Sequence, residues 1–378
     1  MPSSFGKKTI STVIISMLLI PGAALASTPI NMNLNNNPLL LARISDTETA
    51  KVLPQSADVT IGSKTVTVQY ALVPKNAGLT ADLAIAQNAV GQTDELSSLA
   101  SQGGGLAAIN GCLFQSYDAS KPMDPYGTLI KDGKLVHKGD LGAVIGLSKD
   151  NTVKIGIMQP VVSLSLGTAS IKADYFNHTP AQDGSAVAIF TRARGSKVGF
   201  SYGTNLLVSE GKVVQVVTNS NASIPNGGYV INLTGSAAEK YKAQSAKGTA
   251  VSYSTAYVNE SGAKSDWSSV QTAVGAGPIL LKDGKTAINL AKENFADVNS
   301  ADMAFARSAI GVTDSGNLLL VAGITCDLQQ MADVMSQLGA KDAICLDSGA
   351  SSGLYVNDGY MVKPGRTVSN ALIFRLDN

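Results

Sequence analysis

The sequence of 378 residues has few of the side chains on which many site chemistries depend. It contains two histidines, three cysteines and one tryptophan, and aromatic residues make up 5% of it. No HExxH, CxxC or EF-hand pattern occurs, so the common zinc and calcium motifs are missing. We therefore expect no cofactor, with calcium held by loop carboxylates as an open alternative.

Neither positive nor negative charge predominates in the sequence. The formal net charge is +1, and no dense run of lysine or arginine appears. Because nucleic-acid binding needs a basic patch, we expect no nucleic-acid partner.

Long apolar runs are absent beyond the N-terminus. There, Lys7 and Lys8 precede an apolar stretch over 9–20, which is short for a membrane span, and Ala-Leu-Ala follows at 24–26. This pattern predicts a signal peptide over 1–26, a secreted, periplasmic or cell-envelope location, and no stable membrane span after cleavage. An uncleaved anchor is the alternative.

Composition then divides the rest of the chain. Residues 27–58 are rich in Asn, Pro and Ser, which predicts a lightly ordered lead-in. The regular apolar patterning after it predicts one domain over 59–378.

The patterning within 59–378 is dominated by short apolar runs separated by turn dipeptides. Such dipeptides favour the positive φ angles of tight hairpin turns, and they occur at Asp132-Gly133, Glu210-Gly211, Asp283-Gly284, Ser315-Gly316 and Asp358-Gly359. We therefore predict an α+β fold with a strand-rich, mostly antiparallel sheet core and a few packed helices. Residues 64–73 alternate as a strand.

Two segments have helical spacing. Over 327–338 the apolar residues form one stripe, Asp327 and Gln330 form a capping box, and Gly339 ends the helix. Apolar residues over 79–90 also follow helical spacing, which predicts a second helix.

Four stretches carry residue types suited to a polar site. Asn110-Gly111 ends one apolar run, and Arg307 opens another. Arginine offers a planar fork that suits phosphate or carboxylate. Asp347 ends an apolar strand, and small residues follow it whose main-chain N–H groups can face an anion. The remaining members of these stretches are Gly349, Ser351, Ser352, Arg366 and Asn370.

The order of these stretches resembles the phosphodiester glycosidase family, whose animal member is the uncovering enzyme of lysosomal targeting. The resembling motifs are NGCLF (110–114), RSAIG (307–311), LDSGASS (346–352) and VSNAL (368–372). PYGTLIKDGKLV and VGAGPILLKDGK also look like family segments. The resemblance covers roughly residues 60–378.

The resemblance implies an exported hydrolase that cleaves a sugar from a sugar-1-phosphodiester in an envelope or exopolysaccharide glycan. It implies catalytic roles for Asp347, Arg307 and Asn110. It also implies substrate binding by a further group of residues, Gly111, Gly349, Ser351, Ser352, Arg366 and Asn370. The expected partner is an anionic glycan or sugar-phosphodiester substrate.

Three questions stay open in the sequence. The second carboxylate of a glycosidase has only loose candidates, which are Asp118, Asp124 and Asp140. Cys112, Ser348 and Ala350 stand where the family has glycine, which motivates a non-catalytic glycan-binding or assembly protein as the alternative. A thiol hydrolase using Cys112 or Cys326 with His178 is a third reading, although buried cysteines without a role are more common. His137 is expected at an exposed strand position.

Overall fold

The structure, a computed structural model, describes residues 52–295 and 302–376. The predicted signal peptide lies outside the described residues, as do residues 27–51 of the lead-in. Strands account for 50% and helices for 11%, so the chain is mostly β with several antiparallel sheets, and the predicted α+β class holds only roughly.

Three helices and twenty-five strands are described within these ranges. The helices are α1 (Leu96–Gln102), α2 (Gly235–Lys240) and α3 (Leu328–Gln337). The first strands along the chain are β1 (Leu53–Ile61), β2 (Lys64–Val73), β3 (Leu79–Ile85), β4 (Gly105–Asn110), β5 (Leu129–Lys131), β6 (Lys134–His137), β7 (Ala143–Ser148), β8 (Val153–Ile157), β9 (Gln159–Leu166), β10 (Ala169–Ala173), β11 (Tyr175–Phe176) and β12 (Val187–Thr191). The later strands are β13 (Thr204–Ser209), β14 (Lys212–Thr218), β15 (Tyr229–Leu233), β16 (Val251–Val258), β17 (Val270–Ala276), β18 (Ile279–Lys282), β19 (Lys285–Thr286), β20 (Phe305–Thr313), β21 (Leu318–Cys326), β22 (Ala340–Cys345), β23 (Leu354–Val356), β24 (Gly359–Val362) and β25 (Asn370–Leu376).

These strands form five sheets. Their orders are β1-β2-β21-β20-β22-β18-β19, β24-β23-β4-β25-β3, β6-β5-β17-β7-β8, β10-β9-β16 and β11-β12-β15-β13-β14. The β11–β12 pair is parallel. One apolar core joins the first three sheets, and a second core joins the last two. The order is not sequential, so distant segments meet at shared sheet edges.

The predicted hairpin turns are largely confirmed. Asp132, Glu210 and Asp283 have φ values of 51°, 50° and 51°, and the glycine after each is also left-handed. This is the geometry that a two-residue hairpin needs. The β23–β24 turn is centred one residue earlier than predicted, because Asn357 and Asp358 are its left-handed pair.

Helix α3 follows its prediction closely. Asp327 caps the helix by accepting from Gln330 N at 2.7 Å, and Gln330 Oε1 accepts from Asp327 N in return. Gly339 has φ +90° after the C-cap. The predicted strand 64–73 is also confirmed, as β2.

Two segments differ from the sequence predictions, one in its type of secondary structure and one in where the first strand begins. The helix predicted over 79–90 is wrong, because Leu79–Ile85 is strand β3, paired with β25, and a short 3₁₀ turn follows it. Tertiary pairing has overridden the local spacing there. The first strand begins at Leu53, inside the predicted lead-in, where an edge strand with one fully buried residue, Val59, gives little apolar signal.

Candidate functional site

The four predicted stretches lie at neighbouring strand ends. Asn110 is the last residue of β4 and Asn370 the first of β25, and the two strands pair with Asn110 opposite Ala371. Asp347 follows β22, whose neighbour β20 carries Arg307. Leu346 N donates to Ser308 O at 2.8 Å, so the segment that follows β22 still runs beside β20 next to Asp347 and Arg307.

Asn110 joins the Asp347 loop to β4. Its Nδ2 donates to the main-chain oxygen of Asp347 at 2.8 Å, and its Oδ1 accepts from Gly353 N at 3.0 Å. The Asp347 N–H in turn donates to Gly111 O at 3.0 Å. Asn110 is fully buried. Both polar atoms of its side-chain amide are therefore hydrogen-bonded to main-chain groups, which fits a positioning role for this residue.

Asp347 is a nearly buried carboxyl group with 7% of its surface exposed. Burial raises the pKa of Asp347 to about 6, since removing a carboxylate from water disfavours its charged form. A hydrogen bond from Ser351, the charge of Arg366 and the N–H of Ser348, which lies 2.8 Å from Oδ1, oppose this rise. Asp347 thus changes charge close to neutral pH.

Arg366 is the cation that acts on Asp347. Its Nε donates to Ser351 Oγ at 2.9 Å, and its Nη1 donates to Ser116 Oγ at 2.6 Å. The guanidinium also lies over the Phe114 ring, with Cζ 5.6 Å from the ring centroid. Two hydroxyls and one ring fix a half-buried guanidinium beside the carboxyl group.

Asn370 and Gly111 are packed against each other. A Cβ added at Gly111 would lie 1.9 Å from Asn370 Oδ1, so glycine is required there. Asn370 Oδ1 accepts from Cys112 N at 3.2 Å, and its Nδ2 donates to Cys112 Sγ at 3.1 Å. These contacts give both residues a structural role in packing. Substrate binding by Gly111 and Asn370 stays a prediction.

The small residues after Asp347 form a 3₁₀ turn over Gly349–Ser351, where Gly349 has φ +67°. Ser352 follows the turn and contacts the neighbouring strands. Its hydroxyl lies 2.6 Å from Ser308 Oγ, accepts from Gly323 N at 2.9 Å and donates to Arg307 O at 3.2 Å. Ser351 therefore faces Asp347 and Arg366, whereas Ser352 anchors the turn.

Arg307 is buried, with 4% exposed. Its Nε donates to Cys326 O at 3.1 Å, its Nη2 donates to Met303 O at 2.8 Å, and its guanidinium lies 5.3 Å from the Phe305 ring centroid. The contact with the Asp347 loop described above runs through the Arg307 main chain. Phosphate binding by this guanidinium stays a prediction.

Two of the three loose candidates for a second carboxylate have other contacts, and the third, Asp140, is exposed at the surface. Asp124 forms a buried ion pair with Arg194, and Asp118 accepts from Ser120 and Lys121 at the surface. Sequence reasoning missed Glu293, which is 1% exposed and accepts from Ile279 N at 3.0 Å. Burial raises the pKa of Glu293 to about 7. A lone glutamate in a loop gives no sequence signal of burial.

Sequence reasoning also missed Ser116 and Phe114 as supports of Arg366. The NGCLF motif contains Phe114, but nothing in the sequence pairs it with a residue some 250 positions later. The long-range register of β4 and β25 creates that contact.

The thiol alternative is not favoured by the geometry. All three cysteines are free and buried, and burial raises the pKa values of Cys112 and Cys326 to about 12. A thiol in that state supplies little thiolate. His137 is fully buried rather than exposed, and its Nε2 lies 3.2 Å from His178 Nδ1.

Within residues 52–295 and 302–376, no group of three or more His, Cys, Asp or Glu side chains is placed to hold a metal ion. None of the helices described there has the length and apolar character needed to cross a bilayer.

Comparison with solved structures supports the fold. A hypothetical protein from Synechocystis has a TM-score of 0.75 and 22% identity, with 86% of this chain and 62% of that chain covered. The chain thus spans about three fifths of that protein's length. A Burkholderia pseudomallei protein named as exported has a TM-score of 0.68 and 20% identity, with 82% and 74% covered.

A third structure is the zebrafish N-acetylglucosamine-1-phosphodiester alpha-N-acetylglucosaminidase catalytic domain, auto-inhibited by its pro-peptide. It has a TM-score of 0.47 and 15% identity over 88% of this chain and 85% of that chain, which is too remote to support an argument. No curated protein matches the chain. The family model described as phosphodiester glycosidase matches residues 202–375, a range that includes Arg307, Asp347, Arg366 and Asn370. The resemblance predicted from the motifs is therefore confirmed over residues 202–375, which match the phosphodiester glycosidase family, whereas the NGCLF motif at 110–114 lies outside the match.

Proposed function

We propose that the protein is an exported hydrolase that cleaves the bond between a sugar and the phosphate of a sugar-1-phosphodiester. The observation that carries this proposal is a nearly buried carboxyl group, Asp347, that is linked through the Ser351 hydroxyl to the fixed guanidinium of Arg366. The family match over 202–375 supplies the reaction class. Export is supported by the N-terminal pattern and by a structural neighbour named as exported.

The chemistry requires little acid catalysis at the leaving group. The C1–O bond breaks with its electron pair on the phosphate oxygen, and a phosphomonoester is a weak base. Water adds its oxygen to C1 and releases a proton, so the products are a free sugar and a phosphomonoester. The site must therefore bind the phosphate and stabilise positive charge at the sugar.

The residues present suit those tasks. Arg366, with Arg307 as the second predicted guanidinium, binds the phosphate oxygens. The Asp347 carboxylate faces the sugar as nucleophile or base, and Ser351 orients it. Asn110 holds the loop in place through Gly353 and Asp347. A fixed array of this kind stabilises developing charge without reorganising.

The test is incubation of the purified chain with a panel of sugar-1-phosphodiesters, with free sugar read by mass spectrometry. Asp347→Asn should lower turnover by at least about 10³-fold. Asp342→Asn is the matched control. Asp342 also belongs to β22, but it pairs with Lys282 on β18, whereas Asp347 lies beside β20 on the opposite side of β22. Native turnover by Asp347→Asn would refute the assignment.

A second candidate function is glycan binding without turnover. Cys112 and Ser348 occupy positions that are glycine in the family, and both side chains fill space beside Asn370 and Leu346. Binding of an anionic glycan with no product from any diester in the panel would favour this function.

A further inference from the structure

A surface cleft of about 650 Å³ lies beside the candidate site and has no assigned role. Its lining comes from three segments, 87–93, 119–123 and 194–199. The lining includes Lys121, Lys197 and Arg194, and among the described residues it contains no carboxylate side chain. We call it the lysine cleft. Its size lies in the ~300–1,000 Å³ range of small-molecule sites.

Within this cleft, Arg194 is already committed to the protein. It is 5% exposed and forms a buried ion pair with Asp124. Its remaining donors reach Val198 O at 3.1 Å and Thr179 Oγ1 at 2.7 Å. The cations that face solvent are therefore the lysines.

The two lysines are available to a ligand. Lys197 is exposed, and no salt bridge is found for it within the described part of the chain. Lys121 Nζ lies 3.2 Å from Asp118 Oδ2, but both side chains are well exposed, at 68% and 43%. An exposed ion pair of this kind is weak and exchanges readily for another anion.

Two residues in one wall of the cleft have left-handed backbone conformations. Gly91 has φ +93°, and a Cβ there would lie 2.9 Å from Arg194 Nη1. Gln87, in the same wall, has φ 51° although it is not glycine. The glycine adopts this conformation at little cost, whereas the left-handed Gln87 costs energy, and residues of that kind cluster at functional sites.

The walls of the lysine cleft begin next to Arg366. Thr93 accepts from the Thr367 hydroxyl at 2.9 Å, so one wall touches the residue after Arg366. The loop that provides 119–123 also provides Ser116, which accepts from Arg366 at 2.6 Å. Two of the segments that line the cleft therefore contact the loop that carries Arg366.

We propose that the lysine cleft binds an anionic stretch of a glycan, carrying phosphate or carboxylate groups, while the end to be cleaved occupies the Asp347 site. This deepens the proposed function, on which it rests, and names the substrate class as an anionic polymer. The shared chemistry is a repeating anion on a sugar chain, recognised by two solvent-facing ammonium groups.

The experiment compares the whole wild-type chain with the Lys121→Ala/Lys197→Ala double variant, the arginine variants at both positions, and Lys64→Ala. Lys64 is also an exposed lysine, in the β1–β2 hairpin. Binding to polygalacturonate, to a poly(glycosyl phosphate) and to neutral dextran is measured by affinity electrophoresis at low and high salt.

Wild type should bind at least one of the anionic polymers and should not bind dextran. The double variant should lose roughly tenfold in affinity, the arginine variants and Lys64→Ala should keep it, and salt should weaken wild-type binding. The preferred polymer identifies phosphate or carboxylate as the source of the anion. Unchanged binding by the double variant, equal binding to dextran, or no binding of either anionic polymer would overturn the proposal.

Turnover separates this proposal from the proposed function. On a polymeric phosphodiester the double variant should show a raised KM with kcat unchanged, and on a methyl sugar-1-phosphodiester both should match wild type. If Asp347→Asn keeps full turnover while the double variant loses polymer binding, the function assigned to Asp347 fails and the cleft stands. If Asp347→Asn loses turnover while the double variant keeps wild-type polymer binding, only the proposal for the lysine cleft fails.

Discussion

Replacing Asp347 by asparagine should stabilise the folded protein at neutral pH while it removes activity. Burial raises the pKa of Asp347 from 3.8 to about 6 in the folded protein. The folded state therefore holds a proton on this group more tightly than the unfolded chain does. Its contribution to stability is fully present below pH 3.8 and is lost as pH rises through about 6.

The size of this effect follows from the shift. A rise of roughly 2 pKa units, at ~1.36 kcal/mol per unit, corresponds to about 3 kcal/mol. The substituted asparagine side chain carries no charge at any pH and can still accept from Ser348 N. The variant should thus gain about 3 kcal/mol relative to wild type between about pH 4 and pH 7.

The assay is urea unfolding of both proteins at several pH values from about 4 to 8. The difference between their free energies of unfolding cancels the titration of other groups, including Glu293, whose pKa is also raised. The difference should rise with a midpoint at about pH 5, halfway between the unfolded and folded pKa values of Asp347. A difference that stays constant or falls over this range would refute the reasoning about Asp347.

Three further changes have defined outcomes. Gly111→Ala should cost roughly 1–3 kcal/mol of unfolding free energy, because its Cβ would lie 1.9 Å from Asn370 Oδ1. Arg194→Ala should lower the free energy of unfolding by about 3–5 kcal/mol, because it leaves the carboxylate of Asp124 buried and unpaired. Thermal unfolding measures this loss of stability. Iodoacetamide should leave the turnover proposed for the native protein unchanged, because its cysteines are buried.

Matched controls make these outcomes specific. Gly156→Ala should be mild, because no atom lies within 4 Å of a Cβ there. Lys282→Ala breaks the more exposed pair with Asp342 and should cost less than about 1 kcal/mol. Equal losses in test and control, or rapid inactivation by iodoacetamide, would contradict the roles given to these residues.

The sequence was most informative where a signal is local. The capping box of Asp327 and Gln330 and the left-handed Asp132-Gly133 turn depend on residues next to each other, and both are present as predicted. The 79–90 segment failed because its apolar spacing fits a helix, while pairing with β25 makes Leu79–Ile85 a strand.

The candidate site was visible in part for the same reason. The motifs name Asp347, Arg366 and Asn110 because each ends or opens an apolar run. They do not show that the Asn110 amide holds the Asp347 loop, nor that Ser116 fixes Arg366. Those contacts join residues more than 200 positions apart, so only the sheet register reveals them.

The most direct measurement is hydrolysis of a sugar-1-phosphodiester in ¹⁸O-labelled water, with both products read by mass spectrometry. Cleavage of the C1–O bond predicts a phosphomonoester without label and free sugar that appears with wild type but not with Asp347→Asn. Label in the phosphomonoester would show cleavage at phosphorus instead. That result, or sugar release undiminished in the variant, would contradict the proposed hydrolysis at Asp347.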